Sequence, residues 1–165
     1  DGTLLVTYYQ YWNPLADPRN DKLPFFVRRS TDGGATFAPP EKVFNAWTDP
    51  QQIVKWLHPG GCDVVLSEME LKVGGRFHMV MRAPDGEEHD VSGVFREVAI
   101  NEKLVYSWAF RSTPERESVV TFSLKADGEG TWLTLTHEQF FDEAARDAHR
   151  GGWTEALDGL ERYFS

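Results

Sequence analysis

Hydrophobic and polar residues alternate over much of the chain, which is the pattern of β-strands with one buried face. Segments of this kind cover residues 3–12, 25–30, 62–71, 74–84, 89–100, 103–111, 118–127 and 131–140. Short turns rich in Gly, Pro and Asp join several of the later segments, for example PDGEE at residues 84–88. The spacing therefore predicts an antiparallel meander of six strands, preceded by two further strands.

Two other parts of the chain place apolar residues three and four positions apart, as amphipathic helices do. The stretch PPEKVFNAWTDPQQIVKWL predicts two short helices, the first beginning near Pro40 and the second capped by Asp49. From Asp142 onward the pattern predicts one long helix, in which Gly151 and Gly152 are expected to mark a kink or a close approach to the sheet. A long helix covering one face of an antiparallel sheet is an α+β arrangement, and its mouth is a common small-molecule site.

Composition restricts the partners of this chain. Its 165 residues suit one domain, and its formal charge of −9 argues against nucleic acid or an anionic membrane as the main partner. No apolar run approaches the roughly 18 residues that a membrane span needs. Cys62 is the only cysteine, so no intrachain disulfide can form, and we expect a cytoplasmic location.

The chain is rich in aromatic residues, at 13%, and the predicted concave face carries many of them together with methionines. Methionine adapts to varied apolar shapes, which suits a permissive pocket. We therefore predict a cavity that takes a small hydrophobic molecule. Its predicted lining is Trp56, Phe77, Met79, Met81, Phe95, Tyr106, Trp108, Phe110, Glu138, Trp153 and Leu157.

Candidate chemistry is sparse. His78, His89, His137 and His149 lack the spacing of a metal site, so no metal is predicted. No nucleophile elbow, P-loop or dinucleotide fingerprint occurs, so we predict neither a cofactor nor a catalytic residue. On the last strand one of His137 and Glu138 must face inward; Glu138 shares parity with Trp132 and Thr134, and a buried carboxylate there would have a raised pKa.

Residues 39–165 resemble the START-like (SRPBCC) helix-grip superfamily, in the branch related to the activator of Hsp90 ATPase. The similar stretches are PPEKVFNAWTDPQQIVKWLHP, VGGRFHMVMRAPDGEEHDVSGVFREV, EKLVYSWAF and TWLTLTHEQFFDEAARDAHRGGWTEALDGLERYF. The resemblance implies a curved antiparallel sheet wrapped around a long C-terminal helix, with two short helices after the first strand. It also implies a cavity that often accepts apolar or amphipathic ligands. Some relatives are cyclases or hydrolases, many only bind, and one eukaryotic relative stimulates a chaperone.

Residues 1–38 differ from that family. STDGGATF resembles the Asp-box turn of sialidase and BNR-repeat proteins, with its pattern carried by Ser30, Asp32, Gly34, Thr36 and Phe37. A propeller needs several blades and no second box is present, so we interpret this segment as a β-hairpin that replaces the family's usual first strand. The chain would then be a chimera of residues 1–38 and 39–165 forming one structural domain. A homodimer through the N-terminal segment is compatible with the open sheet edge.

The sequence favours a domain that binds a small hydrophobic or amphipathic ligand between sheet and helix. Three alternatives stay open at this point: a protein-interaction module of the chaperone-activator type, an enzyme of cyclase, dehydratase or hydrolase type in the same cavity, and a recombined chain without an evolved activity.

Overall fold

The computed structural model describes residues 6–8, 23–27, 38–127 and 130–164. Within them, eight strands form one antiparallel sheet in the order β1-β2-β8-β7-β6-β5-β4-β3. Their bounds are β1 Val6–Tyr8, β2 Leu23–Val27, β3 Asp63–Met69, β4 Arg76–Arg82, β5 Glu88–Ala99, β6 Lys103–Phe110, β7 Ser118–Asp127 and β8 Gly130–Glu138. The helices are α1 Pro40–Thr48, α2 Pro50–Ile53 and α3 Glu143–Tyr163. This is the predicted α+β helix-grip arrangement.

The helix starts follow from local chemistry that the sequence shows. Pro40 occupies the first turn of α1, where a missing N–H costs no intrahelical bond. Asp49 caps α2 by accepting the backbone N–H of Gln51 at 2.9 Å. Asp142 caps α3 in the same way, accepting the N–H of Ala145 at 2.7 Å. Each helix therefore begins where the sequence predicts it.

The N-terminal strands lie at one edge of the sheet. The sequence does not tell which of them pairs with the meander; in the structure it is β2, which runs antiparallel to β8 with Leu23 opposite His137. β1 then pairs with β2. The predicted Asp-box residues Ser30, Asp32, Gly34, Thr36 and Phe37 lie outside the described residues, and the division at residue 38 stays a prediction.

The core lies between the sheet and the helices. Helix α3 buries Trp153, Ala156, Leu157 and Leu160 against it, while α1 contributes Phe44 and Trp47. The glycine pair of α3 does not break the helix, since Gly151 and Gly152 both lie within it. Gly159, two turns further on, makes the close approach instead: a Cβ there would lie 2.1 Å from the backbone oxygen of Trp56.

Candidate functional site

A cavity of about 510 Å³ opens between the N-terminal half of α3 and strands β4, β5 and β6. The single turn of 3-10 helix at Pro59–Gly61 closes one side of it. This space, which we call the outer cavity, falls within the range of about 300–1,000 Å³ that small-molecule sites occupy. It is lined by Leu57, Pro59, Gly60, Cys62, Met81, Ala83, His89, Trp108, Phe110, Ala148, His149, Gly151, Gly152, Trp153, Glu155 and Ala156.

The outer cavity has free space at three positions of α3 that carry little or no side chain. Ala148, Gly151 and Gly152 line it from the helix. A Cβ placed on Gly151 would meet nothing within 4 Å, and one on Gly152 would reach only the Cβ of Pro59, at 3.8 Å. The two glycines therefore keep space free at the cavity, which differs from the kink or close approach that the sequence suggested.

A second space, the inner cavity, lies deeper and holds only about 30 Å³, roughly the volume of one water molecule. Aromatic rings fill this region. Trp47 stacks on Phe122 with ring centroids 4.4 Å apart, and Phe77 meets Tyr106 edge-on at 5.3 Å. The Tyr106 hydroxyl accepts the indole N–H of Trp47 at 3.3 Å.

The predicted lining residues divide between the two spaces. Met81 and Phe110 line the outer cavity, and Trp108 and Trp153 line both. Five of the predicted residues line only the inner cavity: Trp56, Phe77, Met79, Phe95 and Tyr106. Leu157 is buried in the core and lines neither cavity.

Glu138 was wrongly placed in the predicted lining. Leu133, Leu135 and His137 alternate as buried residues along β8, so Glu138 lies on the opposite face of the strand and lines neither cavity. His137 is the inward residue, with 0% of its surface exposed. Alternation along the strand allows only one of the two neighbours to face the core.

His137 is held in one neutral tautomer. The indole N–H of Trp153 donates to its Nδ1 at 2.9 Å, so the ring proton sits on Nε2. Nε2 then donates to Ser118 Oγ at 2.7 Å, and that hydroxyl donates to the backbone oxygen of Trp108 at 3.1 Å. Burial, with a smaller contribution from nearby His149, holds the pKa of His137 well below its ordinary value. These hydrogen bonds fix the orientation of Trp153, which lines both cavities.

Two lining residues of the outer cavity carry polar atoms without a partner. Among the described residues, Nε1 of Trp108 and Nε2 of His149 are both buried and make no hydrogen bond. His149 uses its other nitrogen, Nδ1, to donate to the backbone oxygen of Ala145 at 2.7 Å. Buried polar atoms are nearly always paired, so these two mark where a ligand's polar group would gain most.

Acidic residues surround Cys62, which lines the outer cavity. Glu155 of α3 accepts the backbone N–H of Gly60 and so ties the helix to the 3-10 turn. Burial raises the pKa of the Cys62 thiol, and the negative charges of Asp85, Asp63, Glu155 and Glu87 raise it further. A thiol held in its neutral form is a poor nucleophile.

The remaining candidate chemistry is weak. Burial raises the pKa of the Tyr106 hydroxyl, an effect that the hydrogen bond from Trp47 partly offsets. No group of three or more His, Cys, Asp and Glu residues able to hold a metal occurs in the described part of the chain. None of the helices in the described ranges is both long and apolar enough to cross a membrane.

Several lining residues were not predicted from the sequence. His89, Cys62, Glu155 and the Pro59 turn reach the outer cavity only because β5 and the segment between α2 and β3 converge on α3. Their positions carry no local pattern that points to a ligand. The one available signal was the glycine pair, since adjacent glycines inside a helix need a reason.

Comparison with known proteins gives a family and a set of similar folds. A family model described as "Activator of Hsp90 ATPase homolog 1-like protein" matches residues 37–165. A crystal structure of a protein from Chromobacterium violaceum is 25% identical, covers 87% of this chain and 97% of its own, and superposes with a TM-score of 0.74.

Two further structures support the same fold. An AHSA1-like protein from Aeromonas hydrophila, solved by NMR, is 26% identical with a TM-score of 0.68, covering 86% of this chain and 90% of its own. A protein from Mycobacterium smegmatis, at 17% identity, shows the fold alone; it covers 98% of this chain and 94% of its own, with a TM-score of 0.73. No curated protein matches the chain.

Proposed function

The chain belongs to the family of activator of Hsp90 ATPase homolog 1-like proteins, and from that premise we propose that it binds a small hydrophobic or amphipathic molecule in the outer cavity. The carrying observation is the cavity itself: about 510 Å³ of space beside Met81, Trp108 and Phe110, kept open by the two glycines of α3. Concave and mostly apolar spaces of this size are the usual form of small-molecule sites.

The inner cavity does not serve this role. Its volume of about 30 Å³ admits no organic ligand, and its walls are stacked rings whose displacement would open the core. The proposed binding site therefore includes only part of the aromatic face predicted from the sequence, and it lies toward one end of that face.

The proposed partner is a small molecule. The expected cytoplasmic location and the homodimer through the N-terminal segment both stay predictions. The interaction-module and enzyme alternatives also remain open, because relatives of this fold include both. Neither has a specific observation in its favour within the described residues comparable to the outer cavity.

The test compares Gly152→Phe with Gly152→Ala. A phenyl group at this position enters the outer cavity from the helix, whereas a methyl group meets only ordinary contact with Pro59 at 3.8 Å. Both substitutions favour helix over glycine. Binding of naphthol, followed by isothermal titration calorimetry, is expected to persist in Gly152→Ala and to weaken about tenfold or more in Gly152→Phe, a change of about 1.4 kcal/mol.

Native mass spectrometry of protein purified from cells provides a second readout. A stoichiometric small molecule present on the wild type and on Gly152→Ala, and missing from Gly152→Phe, would identify the natural ligand class. Naphthol binding with equal affinity to all three proteins would place its site outside the outer cavity and contradict the proposal. The proposal would also be contradicted if naphthol gave no binding heat with the wild type and native mass spectrometry found the wild type without a bound molecule.

A further inference from the structure

We infer that the outer cavity selects neutral amphipathic molecules whose polar group is a hydroxyl, that is, apolar alcohols or phenols. The hydroxyl oxygen accepts the indole N–H of Trp108, and the hydroxyl proton is donated to Nε2 of His149. This inference rests on the proposed function, because it names the ligand class of the same cavity.

The hydrogen-bonding character of His149 is set by its position in α3. Its Nδ1 lies 2.7 Å from the backbone oxygen of Ala145, and a carbonyl can only accept, so Nδ1 carries the proton. In the neutral ring Nε2 is then a bare acceptor. Burial lowers the pKa of His149, which keeps the ring neutral near pH 7. His149, which lines the outer cavity, therefore holds one buried acceptor that needs a donor.

Trp108 supplies the complementary group. An indole N–H can only donate, and Trp108 is 8% exposed with no partner for this atom among the described residues. The ring centroids of Trp108 and His149 lie 6.4 Å apart. The two unpartnered atoms therefore belong to neighbouring rings. A hydroxyl is the smallest group that both accepts and donates at one oxygen.

Other polar groups fit this pair less well. A hydrocarbon leaves both atoms unpaired, and an ether oxygen pairs only with Trp108. A carboxylate lacks a proton for His149 and brings a negative charge past Glu155, in the acidic surroundings of Cys62 formed by Asp63 and Asp85. Leaving a buried donor or acceptor unpaired costs more than the net gain of a typical hydrogen bond, so these differences reach measurable affinities.

Both polar atoms are buried, and Phe110 lies beside the two rings that carry them. Its ring lies 5.7 Å from that of His149 and 6.3 Å from that of Trp108, and it lines the outer cavity. Phe110 is only half-buried, so it has space toward the outside. We therefore infer that a bound ligand displaces Phe110 to reach both atoms.

The experiment uses four naphthalene derivatives that differ in one substituent: naphthol, its methyl ether, ethylnaphthalene and naphthoate. Affinities are measured by isothermal titration calorimetry on the wild type, His149→Phe and Trp108→Phe near neutral pH. We expect naphthol to bind the wild type about tenfold more tightly than the ether, and the ether more tightly than the hydrocarbon. Naphthoate is expected to bind most weakly.

Each variant should remove one of these preferences. His149→Phe brings the naphthol-to-ether affinity ratio to about one, because only naphthol donates a proton to His149. Trp108→Phe brings the ether-to-hydrocarbon ratio to about one, because the ether needs only the indole N–H. Ratios are compared within one variant, so a general loss of stability cancels.

The outcomes separate this inference from the proposed function. Equal binding of naphthol and the hydrocarbon to the wild type overturns the inference and leaves the binding function standing. Tightest binding of naphthoate likewise overturns it, as do unchanged ratios in both variants. If none of the four probes binds the wild type, the proposed function fails and the inference fails with it.

Discussion

The inner and outer cavities share three wall residues, Leu57, Trp108 and Trp153, yet one holds about 30 Å³ and the other about 510 Å³. The difference lies in what faces this common wall. Trp47 and Phe122 stack within the core beside the inner cavity, whereas Gly151, Gly152 and Ala148 line the outer one from α3. Although Trp153, His149 and Glu155 also line the outer cavity from α3, the two glycine positions leave space there that rings fill at the inner cavity.

Strand β4 shows the same contrast over two residues. Met79 lines the inner cavity and Met81 the outer one, although both are almost fully buried and face the same side of the sheet. Two identical side chains on one strand thus have different roles: Met79 fills the core, and Met81 lines the outer cavity. Three experiments test this contrast, in order of decreasing effect.

The largest effect is expected from a matched pair of glycine substitutions in α3. Gly159→Ala places a Cβ 2.1 Å from the backbone oxygen of Trp56, so backbone must move, and we expect a loss of about 3 kcal/mol or more in unfolding free energy. Gly151→Ala meets open space and should instead stabilise by about 0.5–1 kcal/mol. Urea unfolding measures both; a Gly159→Ala protein as stable as the wild type would show that the two sides of the helix are equally open.

The methionine pair tests the strand in the same way. Met79→Ala removes atoms from a filled region and should cost about 2–5 kcal/mol. Met81→Ala should cost less, about 1–2 kcal/mol, because Met81 lines an open cavity and its truncation leaves no sealed void. Equal losses in chemical unfolding would mean that the outer cavity collapses around Met81.

The smallest effect concerns pH and the shared wall at Trp153. The folded-state pKa of His137 is depressed, mainly by burial, so the unfolded chain binds a proton first as pH falls. The stability that neutral His137 contributes is fully present above its unfolded pKa of about 6.5 and is lost as pH falls below it, by about 1.4 kcal/mol per pH unit. Burial also lowers the pKa of His149, so its contribution to the free energy of unfolding likewise falls as pH falls.

Urea midpoints measured across this pH range provide the readout, with His149→Phe as the variant that removes one of the two histidines. Asp49, whose pKa is lowered by its hydrogen bond from Gln52, acts only below about pH 4 and so does not interfere. Stability that stays constant from about pH 6.5 to pH 5 would show that the folded protein takes up this proton as readily as the unfolded chain, which would contradict the bond from Trp153 to Nδ1 of a neutral His137.

Much of the fold follows from local patterns in the sequence. Asp49 and Asp142 fix helix starts by their own side chains, and the alternation of Phe77, Met79 and Met81 fixes which face of β4 is buried. These features depend on neighbours within a few residues, so a single sequence shows them.

The sequence could not predict in this way which residues cover each lining side chain or how closely two distant segments approach. Alternation places Met79 and Met81 on one face without telling which is covered by rings and which by glycines, because that depends on α3, more than sixty positions away. Gly159 has no local sign that Trp56 lies against it. For His137 and Glu138 the alternation with Leu133 and Leu135 did favour the histidine; its indole partner, Trp153, was not foreseeable.

Four indole rings form a continuous series from the core to the outer cavity. The centroid distances are 5.1 Å from Trp56 to Trp47, 5.9 Å from Trp47 to Trp153 and 5.3 Å from Trp153 to Trp108. At such separations electronic excitation passes between rings faster than it is emitted as light. We therefore expect energy absorbed by Trp56 to reach Trp108. A molecule bound beside Trp108 should then quench the fluorescence of the whole series.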